Sequence, residues 1–265
     1  MNPLIRPALA AAVAVGTAAA AAVVMAATLA TDAAAAEYVP LPGGPLRSVV
    51  PADQAGAPVQ VAPFRLRDRP VTNSEFRAFT VRNPEWSRAQ APALFAGTEY
   101  LATLDKAADD APVTHVSWYA AQAYCASEGA RLPRWHEWEM AAAADATRLD
   151  ARDDPAWLSG ILSWYATPAT TPAAVARGTP SAHGVYDLHG LIWEWVEDYN
   201  GLFVDADSRS GARKTLEFCG AAAASLSDRR NYAILIRVAL LAALEANHDG
   251  PLLGFRCARD EGVAP

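Results

Sequence analysis

The chain has 265 residues, of which 29 are Asp or Glu and 22 are Lys or Arg, giving a formal net charge of −7. This length is compatible with one large domain. An acidic chain without a basic patch argues against nucleic-acid binding, because phosphate backbones are held by clustered Lys and Arg side chains.

The first 36 residues are predicted to be a secretory signal peptide. Arg6 precedes an Ala/Val-rich run that continues to Ala30, and small residues at positions 33–36 end the segment. This pattern is typical of a signal, here cleaved after Ala36. The mature protein is then periplasmic or secreted, where disulfides form. The apolar run is also long enough to span a bilayer, so an uncleaved membrane anchor is the alternative.

Residues 37–57 are predicted to form an extended N-terminal arm, because they are rich in Pro, Gly and Ala and have few periodic apolar positions. The main domain is predicted to span residues 58–265 and to begin with a strand near Val59 to Leu66. A short helix follows, since Thr72 and Glu75 have the spacing of a capping box.

The clearest helix signals lie between residues 112 and 144. Ser117 can cap a helix from Trp118 to Glu128, and Gly129 supplies the positive φ that often follows a helix. A second helix is predicted next, with Trp135 and Trp138 turned partly inward.

Residues 181–199 contain a Trp-Glu-Trp triplet shortly after Gly184 and Gly190. In a strand Trp193 and Trp195 would face one side and Glu194 the other, so that two large aromatics anchor one core. The Glu194 carboxylate then lies among apolar surface and needs a cation, a metal ion or backbone N–H groups. The alternative is an amphipathic strand end with an exposed glutamate.

The other segments favour one irregular α+β domain, because short elements and loops outnumber any regular alternation of helix and strand. The predictions are loop over 83–111 and over the proline-containing 145–180, a polar turn over Asp205 to Arg213, a small apolar stretch over Phe218 to Ala224, a helix over Asn231 to Ala246 and a closing strand over Leu253 to Cys257.

Six blocks in this order resemble the sulfatase-modifying-factor family, typified by the formylglycine-generating enzyme. The resemblance implies a loop-rich α+β fold of the C-type-lectin-like kind. Trp118, Trp138, Trp193, Trp195 and Arg256 are predicted to belong to its structural core. The blocks are Val71-Thr72-Asn73, Pro112 to Cys125, Arg131 to Glu139, Gly184 to Trp195, Phe218 to Ala221, and Gly254 to Arg256.

The resemblance also implies where copper would bind. Formylglycine-generating enzymes hold one copper ion through a Cys-x4-Cys pair shortly after a Gly-Gly-Ser turn, and soft thiolates suit Cu(I). Here residues 221–236 contain no cysteine, and Ala221 occupies the serine position. Cys219 is the remaining candidate for a catalytic thiol or a copper ligand. Its alternative is a small buried residue in a tight turn.

The resemblance also raises the question of a calcium site. The family pattern supplies an Asn side chain and a Glu carboxylate to Ca²⁺, which needs six to eight oxygens. Leu191 replaces that Asn, which implies that calcium is not bound. Glu194 is then a candidate metal ligand or, alternatively, a buried carboxylate paired with Arg256.

His183 and His189 flank Asp187 and are the other candidate metal ligands, with hydrogen-bonded loop histidines as the alternative. His115 is predicted to pack beside Trp118. His136 and His248 are predicted to be surface residues.

Three cysteines in an exported chain leave one unpaired, and spacing alone allows any of the three pairs. The cysteines at the matching block positions are joined in the resembling enzymes. This implies a Cys125–Cys257 disulfide and a reduced Cys219.

The variant blocks resemble a sub-branch described as nitrite reductase accessory proteins. The first hypothesis is therefore an accessory domain that binds a periplasmic partner, of the copper nitrite reductase type, during cofactor maturation. A divergent metal-dependent oxidoreductase acting on a protein cysteine is the second. Metal-independent binding of a carbohydrate or peptide is the third.

Overall fold

The computed structural model describes residues 36–49, 57–167, 170–200 and 229–262, and these ranges contain five α-helices and seven short strands. The helices are α1 Asn73–Arg82, α2 Trp118–Ser127, α3 Trp135–Ala142, α4 Pro155–Ala166 and α5 Arg229–Ala242. The strands are β1 Tyr38–Leu41, β2 Gly44–Leu46, β3 Val59–Val61, β4 Phe64–Arg67, β5 Trp193–Glu194, β6 Leu253–Gly254 and β7 Ala258–Asp260.

The strands form small separate sheets. β4 pairs antiparallel with both β1 and β7, and β2 pairs antiparallel with β3. The segment predicted as an extended arm, residues 37–57, thus contributes β1 and β2, and Leu41 and Leu46 enter the core. The single strand predicted near Val59 to Leu66 is two strands, β3 and β4.

The first two helices begin as their sequence signals predict. Thr72 and Glu75 form a reciprocal capping box at the start of α1. The Ser117 side chain accepts a hydrogen bond from the Ala120 N–H at the start of α2. Gly129 follows the end of α2 with a φ of +63°, the left-handed backbone that glycine adopts at low cost.

The prediction of loop over residues 145–180 is wrong where α4 lies. The Asp154 side chain caps this helix by accepting hydrogen bonds from the first-turn N–H groups, and Pro155 is its first residue. Proline at this position is favourable because its missing N–H would have no intrahelical partner there. Leu158 and Ile161 supply the buried face, so this proline marks a helix start rather than a loop.

The closing segment, predicted as one strand over Leu253 to Cys257, serves two sheets. β6 pairs in parallel with β5, whereas β7 pairs with β4. Gly254 is required at the crossing, since a Cβ there would lie 2.4 Å from the Val113 carbonyl oxygen. The three residues between β6 and β7 are fully buried, which packs the end of the chain into the centre of the core.

A disulfide joins Cys125 of α2 to Cys257, just before β7. This is the pair that the family resemblance implies. Both residues are fully buried, and the bond spans a sequence separation of 132 residues. It ties the closing segment to a core helix.

Several predictions lie outside the described residues. They are the signal peptide up to residue 35, the turn over Asp205 to Arg213, the stretch over Phe218 to Ala224, and Cys219. In the part of the chain that is described, no helix combines the length and apolar character needed to cross a membrane.

Removing the disulfide with a Cys125→Ala/Cys257→Ala double variant is expected to lower the free energy of unfolding by about 2–5 kcal/mol, because a long loop in the unfolded chain is released. Urea unfolding measures this loss, and Cys219→Ser serves as the matched control that should retain wild-type stability. Peptide mapping without reductant should yield a Cys125–Cys257 peptide. A Cys219-containing disulfide would contradict the assignment.

Candidate functional site

A buried ion pair between Glu194 and Arg256 lies at the centre of the candidate site. Glu194 ends β5 and Arg256 lies two residues beyond β6, the strand that pairs with β5. Arg256 Nε and Nη2 donate to the two carboxylate oxygens at 2.8 Å each, and both side chains are fully buried. A two-point contact of this kind is the strong form of an Arg–carboxylate pair. The cation that the buried Glu194 needs is therefore Arg256.

Neighbouring groups complete the hydrogen bonding of this pair. Trp138 Nε1, on α3, donates to Glu194 Oε2 at 3.0 Å. Arg256 also donates to the carbonyl oxygen of Tyr186 at 2.8 Å and to that of Arg67 at 3.3 Å. With these donors in place, both oxygens of Glu194 already accept strong hydrogen bonds.

The two tryptophans beside Glu194 have different neighbours. Trp195 is fully buried, and its Nε1 donates to the Val116 carbonyl oxygen at 2.8 Å. Trp193 is partly exposed and stacks on Tyr165 of α4, with ring centroids 5.0 Å apart and ring planes 11° apart. Because β5 ends at Glu194, the alternation of a strand does not extend to Trp195. Trp193 thus packs at the edge of the core and Trp195 within it.

Trp118 and Trp138 also contribute to the core, but they are buried to different extents. Trp138 is fully buried, and Trp135 stacks on it with ring centroids 5.8 Å apart. Trp118 is partly buried and donates Nε1 to the Val196 carbonyl oxygen at 2.9 Å. Trp118 of α2 therefore contacts the segment after Glu194, and Trp138 of α3 contacts Glu194 itself.

A second buried cation, Arg237 of α5, lies beside the Glu194–Arg256 pair. Its guanidinium carbon is 3.7 Å from the ring centroid of Trp138 and 5.6 Å from that of Trp193. In the described part of the chain, no guanidinium nitrogen of Arg237 makes a hydrogen bond of normal geometry. Burial lowers the pKa of Arg237, whereas the nearby Glu194 carboxylate and Tyr165 hydroxyl favour its charged form.

Several contacts share the compensation of the Arg237 charge. A desolvated cation–π contact contributes about 2 kcal/mol, whereas burying a charge without hydrogen-bonded partners costs several kcal/mol. Glu194 is already engaged by Arg256, and the Tyr165 hydroxyl is a further neighbour that favours the charged form of Arg237. Arg237 is therefore a buried cation whose charge is compensated by the Trp138 ring, the Glu194 carboxylate and the Tyr165 hydroxyl together.

His189 is held between two indoles. Its ring contacts Trp138 and Trp157 edge to face, with centroid distances of 5.8 and 5.5 Å. Its Nε2 lies 2.8 Å from the Ala142 carbonyl oxygen, so Nε2 carries the proton and donates it. Burial, helped by the nearby Arg237 cation, lowers the pKa of His189 to about 4. The ring is therefore neutral at pH 7, and its Nδ1 is a buried acceptor without a partner.

The other candidate ligands are not brought together. Within the described ranges, no three His, Cys, Asp or Glu side chains are grouped as metal ligands would be. His183 is half-buried, and burial lowers its pKa. Leu191, at the position of the family asparagine, is buried and has no oxygen to offer.

The remaining histidines are His115, His136 and His248. His115 Nδ1 lies 3.0 Å from the Asp249 carbonyl oxygen, and its backbone has a φ of +56°. His248 is exposed, as predicted, while His136 is partly buried. The prediction that His136 is a surface residue is thus only partly right, because α3 packs most of its residues inward.

Arg237 lies in the helix predicted over Asn231 to Ala246, observed as Arg229–Ala242, and was not among the predicted site residues. One signal was available. Ile234, Val238 and Leu241 are buried at helical spacing, and Arg237 lies on the same apolar face. A charged residue in such a stripe needs a partner or a function.

Comparison with known proteins identifies the family. A family model described as Sulfatase-modifying factor enzyme 1-like domain matches residues 25–261 of the chain. The mixed architecture of few helices and small sheets agrees with the C-type-lectin-like fold of formylglycine-generating enzymes.

Three curated proteins are similar over about half of this chain. The hercynine oxygenase of Mycolicibacterium smegmatis is 33% identical over 52% of this chain and 38% of that protein. The formylglycine-generating enzyme of Streptomyces coelicolor is 31% identical over 56% and 52%. The bovine protein named inactive C-alpha-formylglycine-generating enzyme 2 is 28% identical over 58% and 52%. The matched region thus spans about half or less of each relative.

Replacing Glu194 with Gln is expected to lower the free energy of unfolding by about 3–5 kcal/mol, because Arg256 would remain buried without its counter-charge. Urea unfolding at neutral pH measures the change. The matched control is Arg177→Met, since the Arg177–Asp110 pair is largely exposed and should contribute less than about 1 kcal/mol. Equal losses in the two variants would contradict the role assigned to the buried pair.

The depressed pKa of His189 predicts a pH dependence of stability. In the unfolded chain the imidazole titrates near 6.5, and in the folded protein near 4. The unfolded state therefore binds more protons between these values, so stability is complete above pH 6.5 and falls as the pH drops to 4, by about 3 kcal/mol.

Unfolding free energies of the wild type and of His189→Phe, measured from pH 4 to 7, give the His189 contribution as the difference between the two profiles. His248→Gln, at an exposed position, should keep the wild-type slope. Parallel profiles for the wild type and His189→Phe would show that His189 is not buried in its neutral form.

Proposed function

This chain belongs to the sulfatase-modifying factor enzyme 1-like domain family, and we propose that it is a non-catalytic accessory domain. In this role it binds a partner enzyme while that enzyme acquires its metal cofactor. The proposal draws on the thiol content of the chain, on the preserved core and on the names of its relatives.

The thiol content carries the proposal. The chain has three cysteines, and Cys125 and Cys257 are joined in the core disulfide. Cys219 alone remains, so two thiolates for a copper ion cannot be assembled within one chain. The residues do not fit the copper site that the family resemblance implies. Chemistry that depends on that two-thiolate site is therefore not assigned to this protein.

The described core is nevertheless closely connected. The disulfide and the Glu194–Arg256 pair are both fully buried and well connected. A stable core of this kind can hold a binding surface in place without a reactive metal ion, which supports a binding function. The bovine relative whose name includes the word inactive supports the same view, since it indicates that a similar domain is used without that activity.

The partner is proposed from the variant blocks over residues 187–200, 218–237 and 253–259, which resemble nitrite reductase accessory proteins. The partner class is accordingly a copper nitrite reductase-type enzyme, with export directed by residues 1–36 so that the two proteins meet outside the cytoplasm.

Copper loading of such a partner tests the proposal directly. The enzyme is produced with and without the full chain under limiting copper, and its copper content is measured by mass spectrometry of the metal. We expect a higher copper content when the chain is present, and the Glu194→Gln variant, which weakens the scaffold, should reduce this effect. Equal copper content with and without the chain would overturn the accessory role.

The oxidoreductase alternative is tested in parallel, because two of the similar proteins are named as enzymes. The purified chain is incubated with Cu(I), oxygen, a reductant and a cysteine peptide of the sulfatase type. We expect no formylglycine by mass spectrometry. Copper-dependent turnover that is lost in Cys219→Ser would instead favour a divergent oxidoreductase with Cys219 as a ligand.

A further inference from the structure

The backbone of Glu37 is held against the sheet by the residue that follows β4. The Asp68 N–H donates to the Glu37 carbonyl oxygen at 2.8 Å, and the Glu37 N–H donates to Asp68 Oδ1 at 3.2 Å. From the next residue onward β1 pairs with β4, with Tyr38 opposite Arg67. Both backbone polar groups of Glu37 are therefore fixed, although the residue is exposed.

Asp68 is itself held by the core. Its carbonyl oxygen accepts the Tyr186 N–H at 2.7 Å and a hydrogen bond from Arg256 Nη1 at 3.3 Å. Arg256 also forms the buried pair with Glu194. The Asp68 carboxylate therefore has a defined position beside the Glu37 nitrogen.

The carboxylate of Asp68 can accept a further cation. Burial raises its pKa, and the Glu37 N–H and nearby arginines act in the opposite direction. These arginines, Arg67, Arg69 and Arg256, each form an ion pair with a glutamate. A cation at the Glu37 nitrogen would stabilise the charged form of Asp68 directly, because an opposite charge at hydrogen-bond distance favours ionisation.

We propose that processing between Ala36 and Glu37 creates an N-terminal ammonium group that forms an ion pair with Asp68. The small residues before this bond are those of a signal-peptide cleavage site. Hydrolysis of the amide consumes one water molecule and leaves a carboxylate on Ala36 and an ammonium group on Glu37. This inference rests on the export that is part of the proposed function, but it requires neither the partner enzyme nor copper.

The ion pair fixes the new chain end without a change in the sheet. The Glu37 nitrogen already lies within hydrogen-bond distance of Asp68 Oδ1, and processing replaces a neutral donor by a charged one, which donates more strongly. Because Glu37 is exposed, the pair contributes little to the stability of the whole domain. Its effect is therefore measured on the amino group itself.

The first experiment determines where the exported chain begins. The full chain is produced in a bacterium that exports it, and the N-terminal peptide of the periplasmic protein is identified by mass spectrometry. We expect this peptide to begin at Glu37. An exported chain that retains residues 1–36, or begins elsewhere, would overturn this proposal alone. A chain confined to the cytoplasm would overturn the proposed export as well.

The second experiment compares the reactivity of the Glu37 amino group in the processed wild type and in Asp68→Asn. Only the neutral amine reacts with acetic anhydride, and a neighbouring carboxylate favours the ammonium form. At pH 7 we expect acetylation to be about threefold slower in the wild type, as an exposed ion pair would produce. Asparagine keeps the shape and the oxygen acceptor, so the variant removes only the charge.

Glu85→Gln, which removes a negative charge at another exposed position, is the matched control and should keep the wild-type rate. Acetylation of Lys106 serves as the internal standard, and circular dichroism establishes that each variant folds. Equal rates in the wild type and Asp68→Asn, or the same acceleration in Glu85→Gln, would overturn the ion pair.

A comparison that needs no variant uses the wild type folded and unfolded in urea. The pH at which the Glu37 amine reaches half of its maximal acetylation rate is expected to be higher in the folded protein, because only the folded chain places Asp68 beside the amine. The same midpoint in both states would contradict the proposal.

Discussion

The buried pair between Glu194 and Arg256 is the interaction on which the rest of this structure depends. Glu194 lies on β5, and Arg256 lies just beyond the strand that pairs with it, so the two charges come from segments far apart in the chain. The remaining hydrogen bonds of the pair involve Trp138 on α3 and the carbonyl oxygens of Arg67 and Tyr186. Either charge alone would be too costly to bury. The pair therefore holds only when all these segments are assembled, which makes the core cooperative.

The disulfide acts on the same closing segment by a different physical route. Cys257 follows Arg256 directly, so the end of the chain is fixed by a charge pair and by a covalent bond to α2. The ion pair adds specificity to the folded state, whereas the disulfide restricts the unfolded chain. A loop-rich domain with short strands gains from both, because its sheets contribute few hydrogen bonds of their own.

The candidate metal ligands of this chain differ from those of the enzymes that the chain resembles. A thiolate pair for copper is missing, and the oxygen donor at the family calcium position is replaced by Leu191. Beside the buried pair, the described core holds a second cation, Arg237, packed against the indoles of Trp138 and Trp193.

The sequence alone determined the features with local or block-specific signals: the capping box at Thr72, the helix start at Ser117, the family and its fold, and the need of Glu194 for a cation. Only the tertiary structure decided that Pro155 begins a helix. The apolar face of this helix is recognisable only once Leu158 packs into the core. It also decided the surroundings of Arg237. Packing brings α5 against Trp138, nearly one hundred residues away in the chain. A local sequence pattern does not predict which aromatic ring will contact which charged side chain.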